Sequence, residues 1–142
     1  MKDLSKLLRM SYAEALLCSE ARNCGLYFIF EGEQLLYVGK ASSITLKRRL
    51  AEHVTYDNQF NTLTKKIADY LKLPLVNTEV IFEFIVKELK FALISYQVHG
   101  YKGESDYYFD HLTKEEIQKE EKELIIYYKP PLNNRKKMKL IK

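Results

Sequence analysis

The sequence of 142 residues contains little glycine, proline or cysteine and no tryptophan, with only 5 Gly, 3 Pro and 2 Cys. This composition excludes collagen-like and low-complexity chains and favours long regular elements. No apolar run exceeds five residues, as in Leu26–Phe30, whereas a membrane-spanning helix needs about 20. The first residues do not lead into the apolar core of a signal peptide, so we expect an intracellular protein that does not associate with membranes.

Several site types are also missing from the sequence. There is no glycine-rich phosphate loop, no nucleophile elbow and no histidine cluster with metal-ligand spacing, which argues against a small-molecule enzyme on an unrelated α/β scaffold. Cys18 and Cys24 match no metal-binding motif either. In a chain without an export signal, we expect both cysteines to be free thiols.

Positive charge is concentrated in two segments of the chain. The 23 basic and 19 acidic residues give a net charge of +4. Residues 129–142 carry +6 and residues 40–49 carry +4, both without an acid, which leaves −6 for the remainder. Such a distribution suits binding to a polyanion better than it suits solubility alone. For residues 135–142 taken alone, a solvated chain end is the alternative.

The apolar patterns predict a mixture of helices and strands. They predict an amphipathic helix or two short ones in residues 4–21, a hairpin of Leu26–Phe30 and Leu35–Val38, and a third strand at Glu79–Val86. Three further helices are predicted: one from Ser42 or Ser43 to about Val54, one from Thr62 or Thr64 that ends before Pro74, and one from the capping box at Thr113 to about Tyr128. At this length the elements can share one sizeable core, so we expect a single domain.

One acid lies within the apolar stripe of the last predicted helix. On a helical wheel of about 100° per residue with Ile117 at zero, Glu121 falls at about 40°, between Leu124 at about 340° and Ile125 at about 80°. A carboxylate in such a stripe is costly unless it is paired or bound to a cation. The wheel leaves open a structural salt bridge, a hydrated gap in the stripe, and a metal or catalytic role.

The helix after the hairpin carries two polar side chains at the edge of its apolar face. With Leu46 at zero, Arg49 lies at about 300° and His53 at about 340°, one turn apart. An arginine can bind a phosphate through paired charge-assisted hydrogen bonds, and a histidine can carry a proton near neutral pH. The alternative is an ordinary amphipathic boundary.

The order of these motifs resembles the GIY-YIG nuclease family. Residues 25–27 are Gly-Leu-Tyr and, after nine residues, residues 37–40 are Tyr-Val-Gly-Lys, which resembles the paired signature with leucine and valine in place of two isoleucines. The arginine helix and an acidic helix followed by Pro-x-x-Asn come next. The resemblance implies an α+β fold in which a small, mainly antiparallel sheet of three strands, the N-terminal hairpin plus a third strand, is flanked by helices.

The resemblance covers residues 25–54 and 115–134. We therefore expect residues 1–142 to form one GIY-YIG-like nuclease domain with three additional parts. These are an N-terminal helical extension at about residues 1–22, an insertion at about residues 88–112 and a basic C-terminal tail at residues 135–142.

The resemblance also implies roles for individual residues. The signature tyrosines correspond to Tyr27 and Tyr37, and the helix pair corresponds to Arg49 and His53, the latter at a position that members fill with Tyr, Lys or His. The metal-binding glutamate corresponds to Glu121. The expected DNA-binding or supporting residues are Lys40, Asn133, Arg135, Lys136 and Lys137.

These roles imply a divalent-metal-dependent endonuclease that hydrolyses DNA phosphodiester bonds. Glu121 and waters would hold one Mg²⁺ or Mn²⁺ ion per active site, and Arg49 would offset charge at the phosphorus. Tyr37 would be the base, oriented by Tyr27 and His53. The partner would be double-stranded DNA, with a homodimer if both strands are cut. A site-specific enzyme of restriction or homing type, a structure-specific repair or recombination nuclease, and a non-catalytic nucleic-acid-binding module all remain open.

The spacing of the hairpin makes a geometric prediction. A simple two-residue turn at Gly32 and Glu33 would direct Tyr27 and Tyr37 to opposite faces of the sheet. A three-residue loop, or an equivalent bulge, would direct both tyrosines to one face. We predict one of these two arrangements because a shared site requires one face.

Overall fold

A computed structural model describes residues 4–54, 62–74, 77–98 and 111–134. Within these ranges the helices are α1 (Tyr12–Leu17), α2 (Leu46–Glu52), α3 (Thr62–Leu71), α4 (Thr78–Lys87) and α5 (Lys114–Tyr128), and the strands are β1 (Cys24–Glu31), β2 (Gln34–Ala41), β3 (Leu89–Val98) and β4 (His111–Leu112). Short 3₁₀ turns occupy Leu4–Lys6, Ser19–Arg22 and Pro131–Asn134. In the described part of the chain, every helix is too short or too polar to cross a membrane.

The strands form one sheet in the order β2-β1-β3-β4. β1 pairs antiparallel with β2 on one side and with β3 on the other. The two residues of β4 lie parallel to the end of β3. The predicted α+β fold, with a mainly antiparallel sheet of three strands flanked by helices, is confirmed, and β4 extends that sheet at one edge.

β1 is buried on both of its faces. Tyr27 and Ile29 pack in a cluster that also contains apolar residues from α1, α2, α3 and α4. Leu26 and Phe28 pack on the opposite face against residues of α5. Because helices cover both faces, β1 carries a continuous apolar run instead of an alternating one. Burying each of its large side chains contributes about 1.5–3 kcal/mol.

The prediction of a third strand at Glu79–Val86 was wrong, because this segment lies in α4. Ile81 and Ile85, one helical turn apart, are fully buried. Val80 and Val86 are 52% and 41% exposed, so the apolar residues form a one-sided helix. A short run of β-branched and aromatic residues fits both a strand and a buried helix, and periodicity alone does not separate the two.

The third strand is β3, which lies within the segment that we predicted as an insertion. It pairs with β1 from Glu31 opposite Leu89 to Cys24 opposite Tyr96, so residues 89–98 are an integral part of the sheet. Residues 99–110 of that segment, and the basic tail at residues 135–142, lie outside the described residues. In the predicted N-terminal extension, the structure describes α1 and two 3₁₀ turns, which is closer to the alternative of two short helices than to one helix over residues 4–21.

Capping residues fix the start of the two helices that flank the hairpin. The Thr45 hydroxyl accepts a hydrogen bond from the Arg48 backbone N–H at 3.2 Å, so α2 begins later than Ser42 or Ser43 would have required. At α5 the predicted capping box is present. The Thr113 hydroxyl accepts from the Glu116 N–H at 3.1 Å, and the Glu116 carboxylate accepts from the Thr113 N–H at 3.0 Å. Such caps stabilise a helix end by about 1 kcal/mol.

Candidate active site

The two signature tyrosines lie on one face of the hairpin. The turn has two residues, but the register shifts between Ile29 and Phe30, so that Tyr37 is opposite Ile29 and Tyr27 is opposite Gly39. The predicted bulge is therefore confirmed. With a simple two-residue turn, the tyrosines would have pointed to opposite faces of the sheet, and the extra residue of the bulge returns them to the same face. The two rings lie diagonally across the strand pair, with their centroids 6.0 Å apart.

Two glycines permit the close approaches that this arrangement needs. A Cβ at Gly39 would overlap the Cζ and Oη atoms of Tyr27, because the tyrosine ring lies across the β2 backbone at this point. Gly25 has a φ of +154°, and a Cβ there would overlap the backbone of Ile94 on β3. A side chain at position 39 would displace the Tyr27 phenol, and one at position 25 would push β3 away from β1.

α2 contributes His53 and Arg49. His53 is 3% exposed, and its Nε2 atom shares a hydrogen bond of 2.9 Å with the Tyr27 hydroxyl. The His53 carbonyl accepts a hydrogen bond from the Thr64 hydroxyl of α3 at 2.9 Å, which ties the end of α2 to α3. Arg49 is half-buried and pairs with Glu52 at 3.3 Å. The predicted positions of Arg49 and His53 on one edge of the helix thus bring both residues to the tyrosines.

The environment of the tyrosines keeps both phenols protonated at neutral pH. Burial raises the pKa of Tyr27 well above its usual value, and the nearby Tyr37 raises it further, whereas the Arg49 guanidinium lowers it. Burial also raises the pKa of Tyr37, where Arg49 again acts in the opposite direction and the Glu121 carboxylate adds to the increase. Arg49 is therefore the cation that favours the ionised form of either tyrosine.

Glu121 is half-buried and faces the same site from α5. Burial raises the pKa of its carboxyl group, and the positive charges of Lys40, Arg49, Lys66 and Lys122 lower it. No residue in the described part of the chain forms an ion pair or a hydrogen bond with this carboxylate. The structural salt bridge, which the wheel had left open, is thus not formed among these residues, although four cations are near enough to lower the pKa of the acid.

Lys66 is a site residue that the sequence reasoning missed. Its Nζ atom lies 4.9 Å from the centroid of the Tyr37 ring. The wheel that identified Arg49 could have found it. With Leu63 of α3 at zero, Ile67 lies at about 40° and Lys66 at about 300°, at the boundary of the apolar stripe.

Asn133 binds the backbone of β2 and does not reach into the tyrosine cluster. Its side-chain oxygen accepts from the Val38 N–H at 2.8 Å, and its side-chain nitrogen donates to the Val38 carbonyl at 2.9 Å. The amide thereby satisfies both backbone groups at one position of an edge strand, next to Tyr37. The other predicted DNA-binding residues, Arg135, Lys136 and Lys137, lie outside the described residues.

The number of possible metal ligands in the site indicates which ions it can hold. Within the ranges that the structure describes, no three His, Cys, Asp or Glu side chains form a group that could hold an ion. A fully protein-coordinated zinc or calcium site is therefore not present there. A single carboxylate such as Glu121 fits Mg²⁺, which retains several waters and binds through one or two carboxylates plus substrate phosphates.

Comparison with known proteins identifies the class to which this site belongs. The sequence model of the GIY-YIG catalytic domain matches residues 14–142, so the chain belongs to the GIY-YIG family, as the motifs predicted. Curated proteins give no significant match.

Among solved structures, the chain is similar to the GIY-YIG N-terminal endonuclease domain of UvrC from Thermotoga maritima, crystallised with magnesium. The identity is 18%, the match covers 85% of this chain and 93% of that one, and the TM-score is 0.46. A point variant of the same domain, bound to its catalytic divalent cation, matches with 17% identity, the same coverage and a TM-score of 0.42.

Proposed function

We propose that this chain is a divalent-metal-dependent endonuclease that hydrolyses DNA phosphodiester bonds. The observation that carries the proposal is Glu121, a half-buried carboxylate beside Tyr37 that lacks an ion-pair partner among the described residues. An acid whose purpose was to balance buried charge would be expected to pair directly with a neighbouring cation. Membership of the GIY-YIG family supports nuclease chemistry at this site.

Glu121 is the residue that would hold the metal ion, and we propose one Mg²⁺ or Mn²⁺ ion per active site. When bound, the ion supplies positive charge at the phosphate and lowers the pKa of a coordinated water. The carboxylate fixes that charge beside the tyrosine pair. The surrounding lysines and Arg49 carry excess positive charge, so the phosphate of the substrate is needed to complete a balanced site.

In the proposed reaction Tyr37 first releases its own proton to solvent, and the ionised side chain then accepts the proton of the attacking water. Tyr27 and His53 orient it, with the hydrogen bond between them holding the Tyr27 phenol in place. Because burial favours the neutral phenol, Tyr37 needs added positive charge, and Arg49 is close enough to supply part of it. Water attacks the phosphorus, the bond to the 3′ oxygen breaks, and the departing oxygen takes a proton from solvent, so that the products carry a 5′-phosphate and a 3′-hydroxyl. Arg49 also offsets charge that develops on the phosphate oxygens.

Residues around this centre support DNA binding in the proposal. Lys40, at the end of β2, contributes positive charge near Glu121, and Arg135, Lys136 and Lys137 extend that charge along the chain. Asn133 acts indirectly, because it holds the strand that carries Tyr37.

The test is cleavage of supercoiled plasmid in the presence of Mg²⁺, Mn²⁺ or EDTA. We expect nicked or linear product with either metal and none with EDTA. Glu121→Gln should abolish cleavage, whereas Glu123→Gln, which removes the same charge from an exposed position on the same helix, should not. A Glu121→Gln variant that cut at the wild-type rate would contradict the metal role. Gel shifts without any cut product would favour a non-catalytic DNA-binding module.

The biological task follows from the DNA that is cut. We propose double-stranded DNA as the substrate and a homodimer for cutting both strands, because one copy carries a single site. Sequencing the ends of cleaved DNA separates the remaining roles. One recurrent motif indicates a restriction or homing enzyme, and dependence on branches or lesions indicates repair or recombination.

A further inference from the structure

Lys66 is held against the active site by the packing of its helix. Leu63 and Ile67, which precede and follow it on α3, are fully buried in the cluster that also contains Tyr37. Thr64 donates a hydrogen bond to the His53 carbonyl, so α3 is joined to the helix that carries the site histidine. These contacts fix the helix backbone on both sides of Lys66. They leave its half-buried side chain across the ring of Tyr37, with Nζ 4.9 Å from the ring centroid.

Three elements direct cations towards one carboxylate. Besides Lys122, which neighbours Glu121 on α5 itself, these cations are Lys40 from β2, Arg49 from α2 and Lys66 from α3. Arg49 pairs with Glu52, yet the cations still outnumber these two acids. Gathering like charges in a half-buried site is unfavourable unless an anion is received there. The contact between Lys66 and the aromatic ring is modestly favourable by itself, but it does not explain why the other cations are gathered nearby.

We propose that Lys66 is a substrate-binding residue of the active site, whose ammonium group contacts a phosphate of the DNA backbone beside Tyr37. The assignment rests on the proposed nuclease function, since it needs DNA to enter this site. It adds a cation from α3 to the tyrosine, arginine and glutamate residues of the family motifs. The Tyr37 ring then serves as a platform that holds the ammonium group towards the phosphate.

The binding test measures affinity for a short DNA duplex in EDTA, where cleavage does not interfere, over a range of salt concentrations. Each lysine–phosphate contact contributes about 0.9 to the slope of log K against log salt. We expect Lys66→Met, which keeps most of the apolar stem, to reduce that slope by about 0.9 and to weaken binding. Lys66→Arg should retain the wild-type slope because it keeps the charge.

The matched control is Lys65→Met, which removes the same charge from the adjacent position, about 100° away on the helix. It should keep the wild-type slope and cleavage rate. Lys66→Met should also lower cleavage at subsaturating DNA by about tenfold or more, the effect expected from one lost charged phosphate contact. Thermal unfolding of each variant separates a loss of contact from a loss of fold. Should the methionine variant unfold, Lys66→Gln replaces it in the same measurements.

The outcomes for Lys66 and for the nuclease function are distinguishable. A folded Lys66→Met or Lys66→Gln variant with the wild-type salt slope overturns the assignment, even if the wild-type protein cuts DNA. A wild-type protein that binds DNA without cutting contradicts the nuclease function, and a slope lowered at Lys66 but not at Lys65 still supports the phosphate contact. A protein that neither binds nor cuts DNA overturns both proposals.

Discussion

Replacing Gly39 by alanine tests whether the position of the Tyr27 phenol is set by the backbone of the opposite strand. A Cβ at position 39 would lie closer than 3.0 Å to the Cζ and Oη atoms of Tyr27, whereas ordinary contacts are 3.4–4 Å. Tyr27 is fully buried and bonded to His53, so the ring cannot rotate into solvent. The ring or the strand must therefore shift by about 1 Å to restore ordinary van der Waals separation.

Two magnitudes follow from this displacement. Overpacking of a dense core costs about 1–3 kcal/mol of stability. A misplacement of about 1 Å in an active site, here passed on by the orienting Tyr27, can lower the rate about 100-fold. We therefore expect Gly39→Ala to lower the urea midpoint moderately and to reduce plasmid cleavage with Mg²⁺ by about two orders of magnitude.

Gly32→Ala provides the matched control in the same hairpin. Gly32 has a φ of +58°, and a Cβ added there would have no neighbouring atom within 4 Å. Alanine at this position therefore strains the backbone by about 1–2 kcal/mol without touching the site. The two variants should lose similar stability, but only Gly39→Ala should lose activity. Equal cleavage by both variants, or a structure of Gly39→Ala with Tyr27 unmoved, would show that the β2 backbone does not set the position of the Tyr27 phenol.

Three further predictions concern stability. Burial raises the pKa of Glu121, so its ionised form opposes folding at neutral pH; Glu121→Gln should raise the Tm in EDTA while abolishing cleavage. Asn133→Ala removes both side-chain bonds to Val38 and should cost about 1–3 kcal/mol in urea unfolding. Burial raises the pKa of Tyr12 from 10.0 to about 12, so its contribution to stability is complete below pH 10 and is lost towards pH 12. Tyr12→Phe, which also removes the 2.7 Å bond to the Leu50 carbonyl, should lower stability at pH 8 and flatten its alkaline decline, measured by urea unfolding.

The sequence allowed those parts of the fold to be predicted whose signals are local. The hairpin, the capping box at Thr113 and the start of α3 all depend on residues within one or two turns of each other. The prediction of the third strand was wrong because its signal is not local. Glu79–Val86 and the true strand β3 are both rich in apolar residues, and what separates them is the pairing of β3 with β1, a contact between distant segments.

The candidate site was predictable to the extent that its residues sit in unusual positions. Glu121 and Arg49 each interrupt the edge or centre of an apolar stripe, and a wheel detects that from a single helix. The need for a three-residue loop or a bulge followed from the alternation of side chains along a strand, once both tyrosines were assigned to one site. A wheel also places Lys66 at the boundary of the apolar stripe of α3, but its contact with Tyr37 could not be predicted, because that contact depends on how α3 packs on the sheet. The binding of Asn133 to the backbone of β2 depends on the same kind of tertiary contact.

The residues of the site lie far apart in the sequence, and this determines when during folding the site can be complete. Tyr27 and Tyr37 belong to one hairpin, and isolated hairpins form within about 1–10 μs. Glu121 follows Tyr37 by 84 positions and joins the tyrosines only when α5 packs on the sheet. Contacts between such distant segments form slowly relative to local ones. Under the proposed mechanism, a chain still emerging from the ribosome or cut short before α5 has the tyrosine pair without the metal-binding acid. Such a chain cannot damage DNA, and hydrolysis begins only with the completed fold.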